Sequence, residues 1–343
     1  MRKCYISKNY KSVNGAGNKA KTDIELILEK DGFINLGLKS AQKSNLVQDY
    51  LYTLTSVIKA IIAIRKGDII LLQYPWKKYF DFICRRAHAK GAKVITLIHD
   101  LGSFRRQKLT IEQEIIRLNQ SDCIIAHNSN MKAWLIEHGI NCPIVCLGIF
   151  DYLSEANPSS LELTTDEYRI AYAGALSPKK NKFLYELFNK EQPYTMELFG
   201  NGFEQKETGI KVKLNYHGFT PSDTLISSVQ AHFGLVWDGD SIDECAGVYG
   251  VYLRYNNPHK TSLYLRSHLP VIIWNESALA PLITEYNAGI CVGSLEELPE
   301  ILTDLSHKDY LQMKANATKL GNLIAEGYHV KTASEKAIEI LSK

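Results

Sequence analysis

The chain has 343 residues, of which 45% are apolar and 22% charged, and its net charge is +3. At about 100–200 residues per domain this length predicts two domains, and the apolar content excludes a disordered chain. No apolar run reaches the roughly 18 residues of a membrane span, and Met1-Arg2-Lys3-Cys4-Tyr5-Ile6 lacks the apolar segment of a signal peptide, so a cytoplasmic protein is expected.

Taken in chain order, short apolar runs alternate with helical stretches. Strands are predicted over 3–7, 68–73, 93–98, 123–126 and 144–147, then over 169–173, 195–199, 233–237, 271–274 and 289–292. Amphipathic stretches at 46–65, 111–120 and 282–286 read as helices. Continuous Val/Ile/Leu strands separated by helices indicate α/β architecture, with parallel sheets covered on both faces. A polar stretch at 154–168, containing Asn157-Pro158-Ser159-Ser160, separates the two series, so two Rossmann-like domains are expected over 1–153 and 154–343. The charge divides there too. Residues 1–150 carry 23 Lys and Arg against 12 Asp and Glu (+11), the remainder 17 against 25 (−8). A basic half attracts phosphates, an anionic membrane or nucleic acid, or is simply a solvated lysine-rich surface. The seven cysteines are scattered with no C-x-x-C pair, which favours buried reduced thiols over disulfides or a zinc site.

Ligands of parallel sheets bind beyond the carboxyl ends of the strands, so the residues after each apolar run carry the functional information. Tyr74-Pro75-Trp76 follows one run, His99-Asp100 another, and His127-Asn128 a third. In the second half Gly174, Gly200-Asn201-Gly202 and Trp237-Asp238-Gly239-Asp240 stand at equivalent places. Two facing crevices with one site between them is the economical expectation. Asp100 and His99 are the general-base candidates, because a carboxylate or imidazole at a cleft edge can take a proton from an attacking hydroxyl; helix capping by Asp100 is the alternative. Asn257, His259, Lys260, Thr261 and Ser262 precede an apolar helix. There a helix N-terminus, hydroxyls and an ammonium converge as a pyrophosphate would require. Lys179 and Lys180 could neutralise the same anion. Asp238, Asp240, Asp243 and Glu244 form an acidic loop without the ligand spacing of a metal site.

Gly15-Ala16-Gly17 opens a G-x-G-x-x-A match to the dinucleotide fingerprint. The first strand lies several residues away, however, and Leu36-Gly37 stands where the ribose-binding acid belongs. NAD binding is therefore not expected; the loop can still offer backbone N–H groups to an anion or a sugar. The mixed aromatic and basic stretch 76–93 fits either a membrane surface displaying a lipid-linked acceptor or a helix whose aromatics face the core.

These blocks, with Tyr172-Ala173-Gly174-Ala175-Leu176, Gly234-Leu235-Val236-Trp237, Tyr255-Asn256-Asn257-Pro258-His259-Lys260 and Leu269-Pro270-Val271-Ile272, resemble GT-B glycosyltransferases that use sugar nucleotides. More narrowly they resemble the bacterial family of β-1,6-galactofuranosyltransferases and of the glucosyltransferase acting third in streptococcal adhesin glycosylation. The resemblance implies an acceptor-binding N-terminal domain, which would hold the acceptor through Gly15, Ala16, Gly17, Tyr74 and Trp76, and a nucleotide-binding C-terminal domain. The last helix, about 325–343, would cross back to the first domain. Lys260 and Lys179 or Lys180 would contact the diphosphate, with Trp237, Asp238 and Asn257 beside it. Gly200, Asn201 and Gly202 would border the uracil and ribose, with Phe219 as a stacking surface. The paired glutamates of retaining members are absent, which leans to inversion with Asp100 as base. Neither NAD nor a metal is expected, and the partners implied are a UDP-sugar and a saccharide or lipid-linked glycan. A homo-oligomer is compatible and a nucleic-acid partner is not expected. An NAD-dependent sugar-modifying enzyme and a catalytically silent sugar-binding subunit remain as alternatives.

Overall fold

A computed structural model describes the chain apart from residues 8–15, 40–45, 77, 105–108, 161–163, 165 and 205–208. The chain divides into two units, Met1–Asp151 with Gly327–Lys343, and Tyr152–Glu326.

The first unit runs β1 (Lys3–Tyr5), α1 (Ala16–Lys30), β2 (Ile34–Asn35), α2 (Leu46–Ala63), β3 (Ile69–Tyr74) and α3 (Phe80–Ala89). It continues with β4 (Lys93–Ile98), α4 (Ile111–Leu118), β5 (Cys123–Ala126), α5 (Ser129–Glu137) and β6 (Ile144–Cys146). The second unit holds β7 (Arg169–Ala173), α6 (Lys182–Phe188), β8 (Thr195–Phe199), β9 (Lys213–Tyr216), α7 (Ser222–Ser228), β10 (Phe233–Val236) and α8 (Gly247–Val251). It ends with α9 (His259–Arg266), β11 (Val271–Trp274), α10 (Ala280–Tyr286), β12 (Gly289–Val292), α11 (Leu298–Asp304) and α12 (His307–Glu326). The last helix, α13 (Tyr328–Ser342), belongs to the first unit and packs on α1, β5 and β6. Its first turn is anchored by buried Asp151, whose carboxylate accepts from the N–H groups of His329 (3.2 Å) and Val330 (2.7 Å).

Both sheets are six-stranded and all the pairings are parallel, in the orders β2-β1-β3-β4-β5-β6 and β12-β11-β10-β7-β8-β9. Central strands such as β3 and β10 are buried at every position, as strands covered on both faces must be. In each unit the order reverses once, between β1 and β3 and between β7 and β10. Such reversals open a crevice at the carboxyl ends of the strands. The two strands that the apolar runs do not foretell are β2, only two residues long, and β9, whose side chains are largely exposed. All seven cysteines are free; Cys4, Cys84, Cys123 and Cys245 are buried, whereas Cys142, Cys146 and Cys291 are half-buried.

Two local constraints position the strand ends. In the second unit α9 lies tight against the sheet because Gly234 on β10 has no side chain. A Cβ there would stand 2.1 Å from the ring of Tyr264. The fully buried Tyr264 reaches past this glycine, and its hydroxyl accepts from the Ala173 N–H at 2.6 Å. On the other side of α9, a Cβ at Gly321 of α12 would lie 2.1 Å from the Leu265 carbonyl oxygen. In the first unit the loop after β4 is held by Glu114 of α4. This fully buried carboxylate accepts from Gly102 N (2.7 Å), Ser103 N (2.9 Å), Ser103 Oγ (2.5 Å) and the Tyr74 hydroxyl (2.9 Å).

Gly234→Ala is expected to cost on the order of 3 kcal/mol in urea unfolding, because the methyl group must displace a packed aromatic ring; a cost below about 0.5 kcal/mol would show that α9 can shift freely. Glu114→Gln is expected to cost about 2–4 kcal/mol, since an amide cannot accept from four donors. Tyr74→Phe, which removes one of those donors, should cost only about 1 kcal/mol in the same assay.

Candidate functional site

In the second unit the crevice between β7 and β10 is occupied by a lysine held at three points. Lys260, in the first turn of α9, donates from Nζ to Asp238 Oδ1 (2.9 Å), the Trp237 carbonyl (3.1 Å) and the Tyr172 hydroxyl (3.2 Å). The ammonium also lies 4.5 Å from the centroid of the Tyr172 ring, and the Tyr172 hydroxyl is 3.3 Å from Asp238 Oδ1. Burial is the main cause that drives the Tyr172 phenol far above its ordinary range, with the Asp238 carboxylate next, so it stays protonated. The side chains of Lys260 and Asp238 are 14% and 16% exposed, so this pair sits at the mouth of the crevice rather than deep in the core.

Around it, backbone replaces side chain. Gly174 N donates to the Phe199 carbonyl (2.9 Å), Gly200 N to that of Gly218 (2.7 Å), and Leu176 N to that of Asn201 (2.8 Å). The loops that end β7, β8 and β9 are thereby tied side by side. A Cβ on Gly200 would meet the Gly174 oxygen at 1.8 Å, and φ at Gly200 is +144°, so only glycine fits. Gly174, Asn201, Gly202 and Phe219 are exposed along this rim, and Phe219 projects an aromatic face 57% accessible to solvent. Lys179 is exposed, and Lys180 lies 5.5 Å from the ring centroid of Tyr249 on α8. This edge therefore offers close-approach backbone, cations and a stacking surface together.

Several expected contacts take supporting places instead. Thr261 and Ser262 are fully buried, so their hydroxyls face the packing of α9 and not solvent. Trp237 is fully buried and its Nε1 donates to the Ser241 carbonyl (2.9 Å), which holds the acidic loop. Asn257 is buried, and His259 stacks on Tyr152 with centroids 4.7 Å apart. Among the described residues, no three His, Cys, Asp or Glu side chains come together as a metal-ligand set.

In the first unit, His99 and Asp100 follow β4 next to the reversal between β1 and β3, and both are half-buried. Gln73 links this strand end to α1: its Nε2 donates to the Lys21 carbonyl (3.2 Å) and its Oε1 accepts from His99 Nε2 (2.6 Å). Phe150 stacks on His99, centroids 5.6 Å apart at 6°, and meets His127 edge-on at 4.9 Å. His127 is buried, donates to the Ile98 carbonyl (3.0 Å) and is pushed by burial down to about 4, so it is neutral at pH 7. Tyr74 and Trp76 are buried, Tyr74 being spent on Glu114; neither presents a surface for an acceptor. Ala16 and Gly17 begin α1, and Gly15 lies outside the described residues. Sequence reasoning passed over Glu114. Glu114 could have been noticed as an acid beside Ile115 and Leu118 on the apolar side of its helix.

Comparison with known proteins agrees over both units. The descriptions "Glucosyltransferase 3-like, N-terminal domain" and "Glucosyltransferase 3-like, C-terminal domain" match residues 3–149 and 170–337. The chain is 32% identical over 282 residues to beta-1,6-galactofuranosyltransferase WbbI of Escherichia coli (strain K12), 82% of each chain being covered. It is 25% identical over 334 residues to Glucosyltransferase 3 of Streptococcus gordonii, with 94% of each covered. Among solved structures, sucrose-phosphate synthase from Thermosynechococcus elongatus superposes with a TM-score of 0.65 at 12% identity, covering 99% of this chain and 100% of the other. The lipopolysaccharide outer core galactosyltransferase WaaB does so with 0.54 at 12% identity, covering 98% and 99%. With both domains matched and the paired parallel sheets of the GT-B fold in place, the chain belongs to the Glucosyltransferase 3-like family of sugar-nucleotide glycosyltransferases.

Proposed function

We propose that this enzyme takes a hexosyl group from a UDP-sugar, with galactofuranose the favoured sugar, and transfers it to a saccharide acceptor in surface polysaccharide or glycoconjugate synthesis. The observation that carries the reading is Lys260, an ammonium set at the β7–β10 reversal of the second unit among glycine loops. The 32% identity to a galactofuranosyltransferase supports the family, and galactofuranose is chosen on that family likeness alone. A glucosyl donor is the second reading, favoured by the match that extends over 94% of Glucosyltransferase 3.

The chemistry follows from charge. Breaking the anomeric C–O bond leaves negative charge on UDP and positive charge on the sugar. Lys260 would exchange its contacts with the Trp237 carbonyl and the Tyr172 hydroxyl for a phosphate oxygen. Its bond to Asp238 keeps the ammonium in place while that exchange occurs. The positive end of the α9 helix dipole acts on the same charge. Lys179 and Lys180 add cations from the loop after β7. Glycines at 174, 200 and 202 let main chain approach the nucleotide, and exposed Phe219 offers its ring to the uracil. The first unit takes the acceptor. Asp100 is assigned as the base that removes the acceptor proton, with His99 beside it fixed by Gln73, and inversion is the expected outcome. This reading calls on neither a metal nor a nicotinamide.

Calorimetric titration with UDP tests the donor site. Lys260→Met should weaken binding about 10–100-fold, or roughly 1.4–2.8 kcal/mol, in a protein that still folds and unfolds cooperatively. Unchanged affinity would remove Lys260 from the site. Asp100→Asn should leave UDP affinity intact while lowering the rate of acceptor-dependent UDP release by about 100-fold or more. A loss of UDP affinity with the rate unchanged would reverse that assignment. Screening UDP-galactofuranose against UDP-glucose in the same release assay decides between the two sugars.

A further inference from the structure

The first unit carries a surface that the glycosyl-transfer site leaves unused. α2 is apolar on both sides. Its inner side, with Val57 and Ala60, is buried, while Val47, Leu51, Ile58 and Ile62 on its outer side are 63, 53, 50 and 74% exposed. These four positions follow helical spacing, and at 1.5 Å per residue they form an aliphatic stripe about 22 Å long. A stripe of this length is more than the scattered exposed aliphatics of an ordinary surface.

α3 packs beside α2. Lys78, just before α3, lies 4.9 Å from the Tyr50 ring near the start of α2. At the other end Lys90 Nζ donates to the carbonyls of Ile61 (2.6 Å), Ile62 (3.1 Å) and Ile64 (3.2 Å), closing off the C-terminus of α2. Phe82 on α3 is exposed, with the Arg86 guanidinium 5.5 Å from its ring, and Arg85 is exposed one position before Arg86.

Charge decides the partner. Residues 46–90 contain eight Lys and Arg against three Asp. Of those three acids, Asp68 is buried against Arg2 (2.6 Å), and Asp81 is engaged by Arg117 (3.4 Å) and Gln120 (3.1 Å) of the α4 region. The first unit as a whole carries 26 Lys and Arg against 15 Asp and Glu (+11), and the second 14 against 22 (−8). An aliphatic stripe beside cations is complementary to an anionic bilayer, where apolar side chains enter the acyl boundary and Lys and Arg are drawn to the anionic headgroups. A nucleic acid would use the cations and leave the stripe exposed, and a second copy of this basic unit would set like charges against each other.

We infer that the outer face of α2 and α3 docks the enzyme onto an anionic lipid surface. The inference does not depend on which sugar is transferred. The test is co-sedimentation of the full chain with large vesicles of phosphatidylcholine containing one-third phosphatidylglycerol, set against pure phosphatidylcholine. Binding is expected to the anionic vesicles only, and to fall as salt is raised. Ile58→Asp with Ile62→Asp, at exposed positions where melting temperature and UDP affinity should be unchanged, is expected to weaken vesicle binding at least ten-fold. Arg85→Glu with Arg86→Glu is expected to weaken it as well. Failure to bind anionic vesicles overturns the inference, as does equal binding by the Ile58/Ile62 variant. A wild-type dimer in light scattering that the same variant splits, with no lipid binding, would assign the stripe to a second copy and overturn it too.

Discussion

The approach of Tyr264 to Gly234 is the constraint on which the second unit's site depends. A helix lying across a parallel sheet normally stands off by the thickness of two side-chain layers. Here the sheet gives up one layer at Gly234, α12 gives up another at Gly321, and α9 is gripped from both sides. Lys260 lies one turn before Tyr264, so the depth at which Tyr264 is seated sets where the ammonium emerges. The bond from Ala173 N–H to the Tyr264 hydroxyl then couples α9 to the strand that ends in Gly174. One packing choice thus aligns a cation, a helix N-terminus and a glycine loop.

The first unit solves the corresponding problem with polar groups. Buried Glu114 gathers four donors and fixes the loop behind Asp100, while Gln73 joins His99 to the backbone of α1. A network of this kind is costly to leave half-satisfied, and for that reason it specifies one geometry. The buried imidazole of His127, neutral and bonded to the Ile98 carbonyl, extends the same rigidity to the end of β5.

Most strands were legible because a fully buried parallel strand writes itself as an uninterrupted apolar run: 93–98, 169–173 and 271–274 coincide with β4, β7 and β11. The carboxyl ends of those runs also pointed to the places where functional groups collect. Side-chain direction was not legible. Thr261 and Ser262 stand next to Lys260 in sequence, yet helical geometry turns them into the core while Lys260 faces the crevice. Likewise Tyr74 and Trp237 sit at strand ends but are consumed by internal hydrogen bonds, which no local pattern announces. Edge strand β9 escaped notice because an exposed strand lacks the apolar signature.

The central claim is that the ammonium of Lys260 and the first turn of α9 bind the diphosphate of the donor. Its most direct test is a crystal structure of the full chain soaked with UDP. The account predicts a phosphate oxygen within hydrogen-bond distance of Lys260 Nζ and of a first-turn N–H of α9, with Lys260 turned away from the Trp237 carbonyl. UDP bound elsewhere, with Lys260 still donating to Trp237, Tyr172 and Asp238, would contradict it.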